Sequence, residues 1–133
     1  MNIILTSFRD SNNWKGTKCS IARWQPDWSS MPEFPVNVKP VLDGKVLGDW
    51  LLPSEYRTKY NIILKRKESE LIDLFSKFET DEPLILCCWC NLERQHRNRL
   101  LCHRILLGYW IEEHFNYARV IYADGADKSI WQK

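Results

Sequence analysis

Leu84 to Trp89 (LILCCW) is a continuous apolar run with no alternation, the pattern of a central parallel strand covered on both faces. Asn2 to Thr6 (NIILT) and Cys19 to Arg23 (CSIAR) are short, apolar or β-branched, and bounded by polar turn residues, which predicts two further strands. Ala118 to Tyr122 (ARVIY) supplies a last one. Between these runs the period changes to a helical one. Ser54 is placed to cap a helix starting near Glu55 and continuing through Tyr56, Tyr60, Ile63 and Leu64; a second helix follows with Leu71, Leu74, Phe75 and Phe78 on one face. From about Asn98 to Phe115 apolar residues occur almost all round the helical wheel, so this helix should be largely buried. Gln25 to Pro40 holds four of the six prolines and reads as a long loop. Trp24, Trp28 and Phe34 favour packing over disorder, so an ordered flap is expected.

Strands alternating with helices predict an α/β fold, a small three-layer Rossmann-like sandwich with a mostly parallel sheet and right-handed crossovers. A chain of 133 residues matches a single domain, 1–133, able to bury roughly two thirds of its unfolded surface. No apolar run approaches the roughly 20 residues of a membrane helix, and Met1 to Thr6 has neither the basic start nor the long apolar stretch of a secretion leader. A cytoplasmic protein with no membrane partner is the expectation. Of five cysteines, Cys87, Cys88, Cys90 and Cys102 crowd one region, which speaks against a disulfide framework. The formal charge of +2 is too small for general affinity to nucleic acid or anionic membrane.

Charge is concentrated locally. Asn91 to Arg104 holds Arg94, Arg97, Arg99 and Arg104 with two histidines against one acid, Glu93. In an open parallel sheet ligands sit outside the carboxyl ends of the strands, so the chemistry should lie after Thr6, Arg23 and Trp89. Three readings compete there. Cys102, His103 and Arg104 close to a helix amino terminus would make an anion site, with an arginine fork for phosphate or carboxylate. The same field favours a thiolate at Cys102, and His103 is placed to exchange a proton near neutral pH. Cys88, Cys90, His96, Cys102 and His103 carry zinc-ligating atoms, but Cys-x-Cys spacing and adjacent Cys102 and His103 fit poorly, and neither metal nor cofactor is assigned. Packing is the third reading. Buried cysteine acts as a small hydrophobe, above all at Cys87, and His103 shares a helical stripe with Leu107, Trp110 and His114, as a hydrogen-bonded core histidine would.

The blocks ILTSF and CSIARWQPDW, then YRTKYNIIL (Tyr56 to Leu64), LILCCWC (Leu84 to Cys90) and LCHRILL (Leu101 to Leu107), together resemble the bacterial and phage family called domain of unknown function 488. The resemblance spans most of the chain, and its most specific piece is Cys102-His103-Arg104 at a helix start after a strand ending in cysteine. It implies a compact α/β fold of Rossmann type with no settled activity. By position it carries over Thr6, Ser7, Arg23, Tyr56, Tyr60 and Cys88 beside Cys102, His103 and Arg104. The chain departs from the family where an acidic residue usually stands two positions after the strand cysteine, here Cys90, and in a longer, arginine-rich segment before Cys102.

The preferred function is recognition of an anionic, nucleotide-like small molecule by Thr6, Ser7, Arg23, Tyr56, Tyr60, Cys88 and Arg104, with Cys102 and His103 as the nucleophile or acid/base if chemistry follows. Tyrosine and tryptophan can stack on a base. The alternative is a protein-interaction module, a phage or host factor without catalysis, docking through some of the seven tryptophans. Exposure separates the two: indoles buried around a pocket favour a ligand, while a contiguous exposed patch favours a partner. Gripping a single nucleic-acid strand through the arginines ranks third.

Overall fold

A computed structural model of the chain describes residues 1–48, 50–77, 82–89 and 102–123. Four strands, β1 (Asn2–Ser7), β2 (Thr17–Ser20), β5 (Leu84–Cys88) and β6 (Arg119–Tyr122), form one sheet in the order β2-β5-β1-β6, and every neighbouring pair is parallel. A hairpin, β3 (Val41–Leu42) and β4 (Lys45–Val46), stands apart. Helix α1 spans Pro53–Ser76 and α2 spans His103–His114. The fold is a small α/β fold with a mostly parallel sheet.

All five residues of β5 are buried, as the unbroken apolar run requires of a strand with a hydrogen-bonded partner on each side. Leu84, Ile85 and Leu86 each contribute about 1.5–3 kcal/mol by burial. Laterally paired residues share a face, and faces alternate along each strand. A Cβ on Gly108 of α2 would meet Leu5 and Tyr122, which pair with each other. Leu5, Ser7, Leu86 and Cys88 therefore face α2, and Ile4, Thr6, Ile85 and Cys87 face away. The close approach of α2 depends on Gly108 lacking a side chain.

α1 is one helix of 24 residues where two are expected from the sequence. The polar stretch between its apolar halves contains no breaker, and it carries the helical ion pairs Lys65–Glu68 and Lys67–Glu70. It begins at Pro53, whose missing N–H costs nothing at a first helical position, and Ser54 is not its cap. Tyr56, Tyr60, Ile63, Leu64, Leu71 and Phe75 form its buried stripe. α2 starts at His103; residues 98–101, where its start is expected, lie outside the described residues, as does Phe78.

β2 ends at Ser20, three residues before the expected end. Ile21 still donates to the Cys87 carbonyl at 2.9 Å, and the chain then turns away. The flap is ordered as expected. Ser20 accepts from Phe34 N and donates to Pro32 O, both at 2.8 Å, so the flap covers the outer edge of β2, and Phe34, Val36 and Val38 alternate inward. The hairpin turns on Asp43 and Gly44, both at positive φ (51° and 79°), the requirement of a two-residue primed turn.

Gly16 precedes β2 at a point where an added Cβ would run into the Pro83 carbonyl oxygen. That oxygen accepts the first bond of β2, from Thr17 N at 2.9 Å. Gly16→Ala should therefore lower stability by about 2 kcal/mol or more, read as a reduced midpoint in urea unfolding. An unchanged midpoint would show that this junction is not tightly packed.

Candidate functional site

Because β1, β2 and β5 are parallel, their carboxyl ends meet along one edge. Ser7 lies beside Cys88 and Ser20 beside Cys87 in the register. Cys102, the N-cap of α2, comes down on this edge with its Sγ 3.3 Å from Cys88 Sγ, both side chains buried. His103 opens the helix, fully inside the protein, with Nε2 2.7 Å from the Ile21 carbonyl oxygen. A carbonyl only accepts, so Nε2 carries the proton and, in the neutral ring, Nδ1 keeps a lone pair. The Tyr60 ring from α1 lies 5.5 Å from the imidazole, and its hydroxyl donates to Val38 O of the flap at 2.8 Å. Tyr56 stacks beside Tyr60 at 6.4 Å. One buried cluster thus joins β5, both helices, the exit of β2 and the flap.

Burial governs the electrostatics. It holds His103 below the ordinary imidazole value of 6.5, with the Arg104 charge acting in the same direction and Cys88 and the Ile21 carbonyl opposing. Burial, with Cys102 and Cys88 nearby, pushes the Tyr60 hydroxyl well above its usual range, so it remains a donor. Burial also pushes the Cys87 thiol up to about 12, in keeping with a packing role. Arg104 is fully buried.

The structure gathers the sequence candidates unevenly. Cys88, Cys102, His103, Tyr60 and Tyr56 form the cluster, with Ser7 next to it in the register. Thr6 is buried on the opposite face, and the Ser7 hydroxyl exchanges hydrogen bonds with Asp10, accepting from its N–H at 3.1 Å and meeting its carboxylate at 3.2 Å. Arg23 is exposed. Cys90, His96, Arg94, Arg97 and Arg99 lie outside the described residues, and among the described residues no group of three or more His, Cys, Asp or Glu is placed to hold a metal ion.

Sequence reasoning did not foresee how the aromatics group. Phe8 follows β1, Trp24 lies beyond β2 and Trp89 follows β5, and these meet as a rim around the strand ends. Trp24 and Trp89 rings lie 4.8 Å apart, Phe8 packs edge-on to Trp89 at 5.8 Å and to Trp28 at 6.4 Å, and Trp89 Nε1 donates to Trp24 O at 2.7 Å. Trp24, Trp28 and Trp89 are 54%, 65% and 43% exposed, a contiguous open patch and not the wall of a closed pocket. The signal lay in position: Phe8 and Trp89 each stand one residue past a strand, and Trp24 follows the exit of β2. Under the flap is a separate open cavity of about 220 Å³ lined by Ser20, Ile21, Glu33, Phe34, Asn37 and Lys39, also unforeseen.

Compared with protein-family models, curated proteins and solved structures, the chain gives no match to any of the three. No helix among the described residues is long and apolar enough to cross a membrane.

His103 gives a pH signature. Its folded value lies below 6.5, so as pH falls through 6.5 the unfolded chain takes up a proton that the folded chain refuses, and stability declines. Above 6.5 the contribution is fully present. His103→Gln keeps a donor for the Ile21 carbonyl and removes the titration. Its unfolding free energy should match the parent at pH 7.5 within about 1 kcal/mol and decline less between pH 6.5 and 5.5. Parallel pH curves for the two proteins would count against the buried, neutral imidazole.

Proposed function

We propose that the protein is a binding module working at the carboxyl edge of its sheet, and that its ligand is a small, anionic, nucleotide-like molecule. The observation that carries this reading is the place of Arg23, exposed and beyond the end of β2, with Ser7 and Cys88 at the ends of β1 and β5, on the carboxyl edge where open parallel sheets take their ligands. Indole faces stack on a base. An exposed guanidinium favours a phosphate beside it. The buried cluster beneath gives this edge a rigid floor, and Cys102 and His103 supply a thiol and a neutral imidazole should turnover follow binding.

The kinship with the domain of unknown function 488 family belongs to the same reading. What supports it is the order of parts: a strand ending in Cys88, then Cys102-His103-Arg104 opening a helix against it. A three-layer, Rossmann-like arrangement is the finer form of the fold we propose. Ile4, Thr6, Ile85 and Cys87 point away from α2 and yet are as buried as the residues facing it, as a second covering layer would make them. The contiguous exposure of Trp24, Trp28 and Trp89 favours a second reading, a protein partner, by the criterion of an open patch.

Tryptophan fluorescence separates the two. Titration with adenosine, guanosine, cytidine and uridine monophosphates should quench the emission for at least one of them, and Arg23→Ala should weaken that binding by about tenfold or more, the range of a lost charge-assisted bond. Absence of quenching by all four at millimolar concentration would overturn the ligand reading. Retention of a protein partner that Trp24→Ala releases would then establish the alternative.

A further inference from the structure

The geometry points to Cys88 and Cys102 as a redox-active pair, converted to a disulfide by a peroxide and reopened by a thiol reductant. Their sulfurs lie 3.3 Å apart, so an approach of about 1.3 Å gives a disulfide bond length. Both residues stand where a small approach is feasible. Cys88 is the last residue of β5, and Cys102 is an N-cap in extended conformation (φ −131°, ψ 124°), its own N–H outside the intrahelical bonds of α2. The other described cysteines are less suited. Cys87 faces the opposite side of the sheet, and Cys19 stands beside Leu86, two residues back along β5.

The step balances with hydrogen peroxide as oxidant. One thiol gives up its proton, and its sulfur attacks a peroxide oxygen; an S–O bond forms, the O–O bond breaks, and the departing hydroxide leaves as water with that proton. The second thiol sulfur then attacks the sulfenic sulfur, an S–S bond forms, the S–O bond breaks, and a second water leaves. Each sulfur gives up one electron and the peroxide takes two. The product ties the end of β5 to the start of α2, at the edge assigned above to a ligand, but the thiol chemistry does not depend on that assignment.

The test uses the full chain, reduced, freed of reductant and treated with stoichiometric hydrogen peroxide before alkylation. Its intact mass should fall by two hydrogens relative to the reduced chain, before alkyl groups are counted, and return with dithiothreitol. Tryptic digestion should yield residues 78–94, which hold Cys87, Cys88 and Cys90, joined to residues 100–104, which hold Cys102, with fragment ions placing the bond on Cys88. Cys87→Ser and Cys90→Ser should leave the cross-link in place. An unchanged mass, addition of oxygen without a cross-link, a bond between two chains, or a bond to Cys87 or Cys90 would each overturn the proposal. None of these readouts involves a nucleotide, so failure here and failure of the ligand reading are separate results.

Discussion

β5 is hydrogen-bonded by a parallel strand on each side and buried on both faces, and this constraint shapes everything at the carboxyl edge. Parallel neighbours cannot be joined by tight turns, so each exit from the sheet needs a long crossover. The crossovers from β2 to β5 and from β5 to β6 run the same way across the strand order. Right-handed connections then carry both helices to one face, and α1 and α2 indeed pack against each other. Their contact is what brings Tyr60 of α1 to His103 of α2. The cluster is therefore a consequence of strand order.

Its polar members have a structural task of their own. Beyond Ser20 the chain leaves the sheet, and the carbonyls of Ile21 and Val38 have no ladder to enter. A buried carbonyl without a partner costs about 1–3 kcal/mol, and His103 and Tyr60 each donate to one of them. Nε2 of His103 holds the exit of β2 in place, as a core histidine would. Substitutions that delete these donors loosen the flap whatever else they do.

The elements legible from sequence were those whose signal is local. LILCCW announced β5 because a strand covered on both faces has no polar positions, and Tyr56, Tyr60, Ile63 and Leu64 announced α1 through their spacing. The single long α1 was harder to read, since its polar middle carries no apolar marker of continuity. The hairpin around Asp43-Gly44 was missed although Asp-Gly is a primed-turn signal; its strands are only two residues long and show no alternation. Cys88, Cys102, His103 and Tyr60 were picked individually, but their meeting depends on the order β2-β5-β1-β6, which no local pattern encodes. Thr6 and Ser7, expected after the first strand, are instead its last two residues, where burial and the Asp10 contact decide what they touch.

The rim completes the picture from the solvent side. Trp24 and Trp89 in mutual contact, with Trp28 joined to them through the buried Phe8, forgo burial that their area would otherwise supply, and an exposed apolar patch of this kind is a mark of an interaction surface. The bond from Trp89 Nε1 to Trp24 O and the edge contacts to the buried Phe8 fix the rings before anything binds, which reduces the ordering cost of association. Trp89 is also the residue next to Cys88. The Cys88 sulfur and the ring that bridges Phe8 and Trp24 are therefore positioned by adjacent residues at the end of β5.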